Sequence, residues 1–172
     1  MIFGNYFFKR KVQKLIADSH GRKHKFCSLE DARSLLVLFR NEDKAAVEPL
    51  LEKLRASGKR ISCCVSYTGT IDHDDPSVLY VNKNKEADKY GIPNADISAR
   101  LAKIEADVLI DLSRGKCHAL SVLMLQHPSR FKVGERLMDE TIYDFSIIMT
   151  DGGGTAELFG YILFYLQTIR SK

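Results

Sequence analysis

Three neighbouring stretches decide the fold: Ser34-Leu35-Leu36-Val37-Leu38-Phe39-Arg40, the run Lys44–Ser57, and Ile61-Ser62-Cys63-Cys64-Val65-Ser66-Tyr67. The unbroken apolar run Leu35–Phe39 is what a strand covered on both faces requires. Val47, Leu50, Leu51 and Leu54 then recur at three- and four-residue spacing, the inner face of an amphipathic helix. Gly58 supplies its stop. Pro49 falls early in that helix and predicts a kink or a later start. A strand, a helix and a strand in this order join through a right-handed crossover, so the two strands run parallel.

The same rhythm continues along the chain. The polar loop Thr68–Pro76 leads to a strand at Val78–Val81, and Asn82–Pro93 reads as irregular. Asp96–Glu105 reads as a helix with Ile97, Leu101 and Ile104 inward, followed by the strand Asp107–Leu112. Cys117–Gln126 is helical, Phe131–Gly134 and Phe145–Met149 are strands, and Thr155–Ile169 closes as a helix. Strands alternating with helices predict an α/β fold, a three-layer Rossmann-like sandwich with a mostly parallel, doubly wound sheet. That single domain is expected over residues 34–172 and is preceded by residues 1–33, a basic amphipathic helix and its connector.

The charge is unevenly placed. The net charge is +4, but residues 1–25 hold seven basic residues against Asp18, a net +6, and the remainder sums to −2. A basic extension on an acidic fold argues against a nucleic-acid surface spread over the domain. Phe3, Tyr6, Phe7 and Phe8, then Val12, Leu15 and Ile16, form an apolar stripe beside Lys9, Arg10, Lys11 and Lys14. Such a helix suits an anionic membrane surface, a second copy of the chain in a homodimer, or its own domain. The basic cluster follows the apolar run Met1–Phe8, the reverse of a signal peptide, and no stretch is long enough to span a bilayer. The expected location is cytoplasmic, with the inner face of the membrane as the surface this helix would contact. Cys27, Cys63, Cys64 and Cys117 include no C-x-x-C pair and read as reduced thiols.

In open parallel sheets ligands bind beyond the carboxyl ends of the strands. That selects the loops Arg40–Asp43, Thr68–Pro76, Ser113–Lys116 and Thr150–Thr155. Gly152, Gly153 and Gly154 before Thr155 could turn backbone N–H groups toward an anion; the plainer reading is a turn with Thr155 as helix N-cap. Arg114 and Lys116 could clamp a carboxylate or phosphate, Ser113 could donate, and Asp111 could hold a sugar hydroxyl. The competing reading is a solvated loop in which Ser113 caps the helix. His73 lies in a turn, and His118 and His127 have no spaced partner that defines a triad or a metal set. No catalytic residue, metal or cofactor is assigned.

Asp107-Val108-Leu109-Ile110-Asp111-Leu112, His118-Ala119-Leu120 and Lys132-Val133-Gly134 resemble the amino-terminal lobe of heptosyltransferase-type GT-B glycosyltransferases. The likeness implies a Rossmann-like lobe and a phosphorylated or glycosyl substrate; the nucleotide-sugar lobe of those enzymes lies outside it. Over nearly its full length the chain also resembles a family of small bacterial proteins of unassigned function, through the basic helix, Asp107–Ser113 and Phe131–Gly134. The expectation is a non-enzymatic module for a small anionic or sugar-containing ligand or a protein partner, with a small enzyme or a homodimeric assembly protein as alternatives.

Overall fold

A computed structural model describes residues 2–72, 75–136, 142–150 and 152–170, with side chains from residue 6 onward. Six strands form one sheet: β1 (Ser34–Arg40), β2 (Arg60–Tyr67), β3 (Val78–Asn82), β4 (Val108–Asp111), β5 (Lys132–Glu135) and β6 (Phe145–Ile147). Their order is β3-β2-β1-β4-β5-β6, and every pairing is parallel. Val37 lies between Cys63 and Ile110 in register. Strand order reverses direction between β1 and β4, which makes the carboxyl ends of those two strands the switch point.

The helices are α1 (Ile2–Ser19), α2 (Lys44–Ala56), α3 (Ala95–Ala102), α4 (His118–Gln126) and α5 (Thr155–Thr168). Alternation along each strand divides the core. Leu35, Val37 and Phe39 pack with residues of α2 and α5 on one face; Leu36 and Leu38 pack with residues of α3 and α4 on the other. The chain is therefore a three-layer, Rossmann-like sandwich, with all six described strands parallel.

Several local expectations need correction. α2 runs unbroken through Pro49 from Lys44, so its start is not delayed. Pro49 and Ala45, the residue whose helical carbonyl it cannot pair, are both exposed, which limits the cost. α3 is shorter than expected and starts at the Asn94 cap, whose side chain accepts the Ile97 N–H at 2.9 Å. β6 ends at Ile147, and Ile148 is exposed beyond it.

The N-terminal helix docks on the domain. Val12, Leu15 and Ile16 pack against the α3–α4 face, and Phe8 stacks on His118 with ring centroids 3.7 Å apart. The connector is latched as well. Arg22 donates to the Ser129 carbonyl at 2.9 Å and to Asp144 at 2.6 Å, His24 pairs with the same carboxylate, and the Lys25 N–H bonds the Arg130 carbonyl at 3.0 Å. Among the described residues no helix is long and apolar enough to cross a membrane.

Candidate functional site

At the end of β4, Asp111 is buried and both its oxygens are engaged. Oδ1 accepts the Ser113 N–H at 2.8 Å, and Oδ2 accepts the Tyr143 hydroxyl at 2.7 Å. Burial pushes the Asp111 carboxyl above its usual range, against the opposing pull of Ser113 and Tyr143, and pushes the Tyr143 phenol up as well. Ser113 is fully buried; its hydroxyl stands near the carboxyl, yet its Oγ has no partner at hydrogen-bond geometry.

Arg114 follows with φ 54°, the one non-glycine residue with positive φ among those described, and Gly115 has φ 65°. Two successive left-handed residues turn the chain sharply between β4 and α4. The turn is held by the Arg114 side chain. Nε donates to Glu135 at 2.7 Å, Nη2 to the same carboxylate at 3.2 Å, and Nη1 to the Gly153 carbonyl at 2.6 Å. The pair is largely buried, and the Glu135 hydrogen bonds raise the guanidinium further above its ordinary value. Such a two-point pair is geometrically specific as well as strong.

The β1 end joins the same cluster. Arg40 bonds Asp43 and Glu42, and Asp43 Oδ1 accepts the Thr155 hydroxyl at 3.1 Å. Three of the four loops selected from the sequence thus meet at the switch point: Arg40–Asp43, Ser113–Lys116 and residues 152–155. The Thr68–Pro76 loop lies beyond β2; Asn82 reaches back to its Gly69 carbonyl at 3.5 Å.

Both expected caps are replaced. Thr155 is the first residue of α5 rather than its N-cap; Gly154 takes that position, with no side-chain cap, and the Thr155 hydroxyl is turned to Asp43. Cys117, not Ser113, is the N-cap of α4, again with no side-chain bond, because Ser113 is drawn into the core beside Asp111. Lys116 is exposed beside the start of α4. Gly153 is constrained in its own way, since a Cβ there would meet Glu157 Oε2 and Met149 Cε at 2.5 Å.

The remaining candidates separate. Tyr6 and Phe7 stay about half exposed, with Phe7 5.5 Å from the Tyr90 ring, and Lys9, Arg10 and Lys14 face solvent. Lys11 is half-buried, and Phe8 is committed to His118. The Phe3 side chain and His73 lie outside what the structure describes. His127 is buried in the wall of the domain: its Nδ1 accepts the Ser129 N–H at 3.1 Å, so its Nε2 carries the proton and donates to the Ile104 carbonyl at 2.8 Å. The four cysteines are free thiols, and among the described residues no three His, Cys, Asp or Glu gather as a metal site.

Glu135 and Tyr143 are not among the residues to which the sequence points. Glu135 had a readable signal, because an acid ending a short buried strand needs a partner; Tyr143 had none. No curated protein and no solved structure matches the chain. The model of a family of unknown function (DUF6913) matches residues 5–169, and the chain belongs to that family.

Proposed function

We propose that the protein is a non-enzymatic binding module that holds a small, sugar-bearing anionic ligand at the carboxyl ends of β1 and β4. The observation that carries this reading is Arg114. A non-glycine left-handed backbone costs on the order of 1–3 kcal/mol and persists where surrounding structure demands it. Here it lies at the switch point, clasped by Glu135 and Gly153.

Since Arg40 and Arg114 are already paired, the donors left for an anion are Lys116 and the uncapped first turns of α4 and α5. Sugar hydroxyls would meet the Asp43 and Glu135 carboxylates, while buried Asp111 and Ser113 serve to hold the loop. The likeness of residues 107–134 to a glycosyltransferase lobe supports a ligand with a sugar.

The test is a thermal-shift series with nucleotide-sugars and sugar phosphates. A ligand at about 100 times its Kd adds roughly 2.7 kcal/mol, a shift of several degrees for a domain of this size. Lys116→Ala should leave the unliganded midpoint in place and weaken binding by about 1 kcal/mol, roughly fivefold. A flat series with the intact protein would sink the proposal, and turnover of the ligand would replace it with the enzyme reading.

A second reading rests on α1. Exposed Tyr6 and Phe7 beside exposed Lys9, Arg10 and Lys14 favour contact with an anionic bilayer, each basic residue contributing about 1 kcal/mol at the surface. Deleting α1 would also strip Val12, Leu15 and Ile16 from the core, so substitution is the cleaner experiment. Lys9, Arg10 and Lys14 changed together to Glu should abolish co-sedimentation with phosphatidylserine vesicles at low salt. Equal sedimentation of both proteins, or none by the parent, would remove this reading.

A further inference from the structure

We propose that the amino edge of the sheet carries a separate ligand site, a cleft for an elongated small molecule with a phosphate or carboxylate at each end. A cleft of about 990 Å³ opens there, between the starts of β1, β2, β4 and β5 and the connector that leads out of α1. Its volume lies at the upper end of the range for small-molecule sites.

Four cations line it in two pairs. Arg33 and Arg60 are neighbours, the Arg60 N–H donating to the Arg33 carbonyl at 2.9 Å; Lys25 and Arg130 are neighbours through the bond of the Lys25 N–H to the Arg130 carbonyl. The first pair sits at the entry to β1 and β2 and the second at the entry to β5, with β4 between. From β1 to β5 is two strand spacings, about 10 Å.

None of these four side chains makes an ion pair or a side-chain hydrogen bond among the described residues. Three acids share the wall, and Arg60 is close enough to Asp107 to help hold its carboxyl below the ordinary range. Asp107 Oδ2 accepts from the N–H groups of Arg33 and Ser34 and from the Ser34 hydroxyl, and Asp31 accepts from the Ser28 hydroxyl; Glu105 is the other acid on the wall.

The carboxyl ends of α3 and α4 also point toward this edge, and basic residues often collect at such ends. That explanation is already satisfied here by other groups. Lys132 Nζ donates to the Leu125 carbonyl of α4, and the His127 ring donates to Ile104 just past α3. The four cations of the cleft are additional.

Two buried donors at or beside the cleft have no partner among the described residues. Ser129 lines the cleft, and its buried Oγ has no partner. Arg22 Nε is likewise buried and unpartnered, in an adjoining cleft of about 450 Å³ that shares Lys25 and Phe26 with the first. A buried hydroxyl left unpaired is costly, and an oxyanion at the β5 end would satisfy it.

Calorimetric titration with inorganic phosphate, a hexose monophosphate and a hexose bisphosphate tests the site. The bisphosphate should bind roughly tenfold or more tightly than the monophosphate, since it alone reaches both cation pairs. Arg60→Ala and Arg130→Ala, at exposed positions, should each bring the bisphosphate down to monophosphate affinity. Ser129→Ala should weaken it several-fold without lowering the melting temperature of the unliganded protein. Lys116→Ala should leave the preference for the bisphosphate over the monophosphate in place, which separates this site from the one at the carboxyl edge. Equal affinity for the two sugars, absence of binding at millimolar concentration, or loss in Lys116→Ala but not in the arginine variants would each overturn the proposal.

Discussion

Lys132→Met should stabilise the protein near about pH 6 and flatten its stability profile between about pH 7 and 8.5. Lys132 opens β5 with its side chain fully buried, and its Nζ makes one hydrogen bond, to the Leu125 carbonyl at 3.1 Å. Asp144 lies nearby but accepts the Lys132 backbone N–H, not the ammonium. Burial, with Arg22 adding repulsion and Asp144 opposing it, lowers the Lys132 amine from 10.5 to about 7.

A base whose folded pKa is depressed is less costly to bury once neutral. Stability therefore rises with pH from about 7 toward the unfolded value, with a slope that approaches 1.4 kcal/mol per pH unit. Cys63 and Cys64 act in the opposite sense higher up. Burial raises Cys63 to about 12 and raises Cys64 further, so the unfolded thiols ionise first and stability falls above about pH 8.5. His127, lowered by burial to about 4, adds a rise between that value and 6.5. Chemical denaturation of parent and variant across this range checks the assignment. Replacing a buried charge with a well-packed apolar side chain commonly gains about 1–4 kcal/mol. A parent profile already flat from about pH 7 to 8.5, with Lys132→Met less stable at about pH 6, would show that the ammonium is held as a charge.

That lysine also shows where a sequence stops being legible. Leu35–Phe39, Ile61–Tyr67 and Asp107–Leu112 are readable as strands because burial on both faces demands long apolar runs, and the intervening helices announce themselves by period. Strand order is different, because any buried parallel strand could neighbour any other. At the switch point, Arg114 and Ser113 were visible as loop residues at a strand end. Their partners were not: Glu135 lies 21 residues from Arg114, and Tyr143 lies 32 from Asp111. Those pairings exist only once β4 and β5 are adjacent. Lys132 did leave a trace, since a lysine between Phe131 and Val133 in a strand covered on both faces must be buried. The cleft at the amino edge left none, because it depends on the connector folding back along β5.

Gly134→Ala should destabilise the protein by about 3–5 kcal/mol, the sum of overpacking and a lost buried hydrogen bond. A Cβ at Gly134 would stand 2.5 to 2.9 Å from three atoms of the Tyr143 ring. Real Cβ atoms do not approach that closely, so the ring must move. It is buried, and its hydroxyl is the donor to Asp111 Oδ2, so displacing it leaves a buried carboxyl one partner short. Tyr143→Phe removes that hydroxyl while keeping the ring in place, and should cost only about 1–2 kcal/mol. At roughly 2–4 °C per kcal/mol the two variants separate clearly by melting temperature. The decisive measurement is the double variant Gly134→Ala with Tyr143→Ala. Once the ring is gone the new methyl has space, so the double variant should cost about 2 kcal/mol less than the sum of its two single changes. Additive costs would mean that the ring is not what excludes a side chain at Gly134. In that case the crossing of Tyr143 over β5 would not be the contact that holds the Asp111 loop at the switch point.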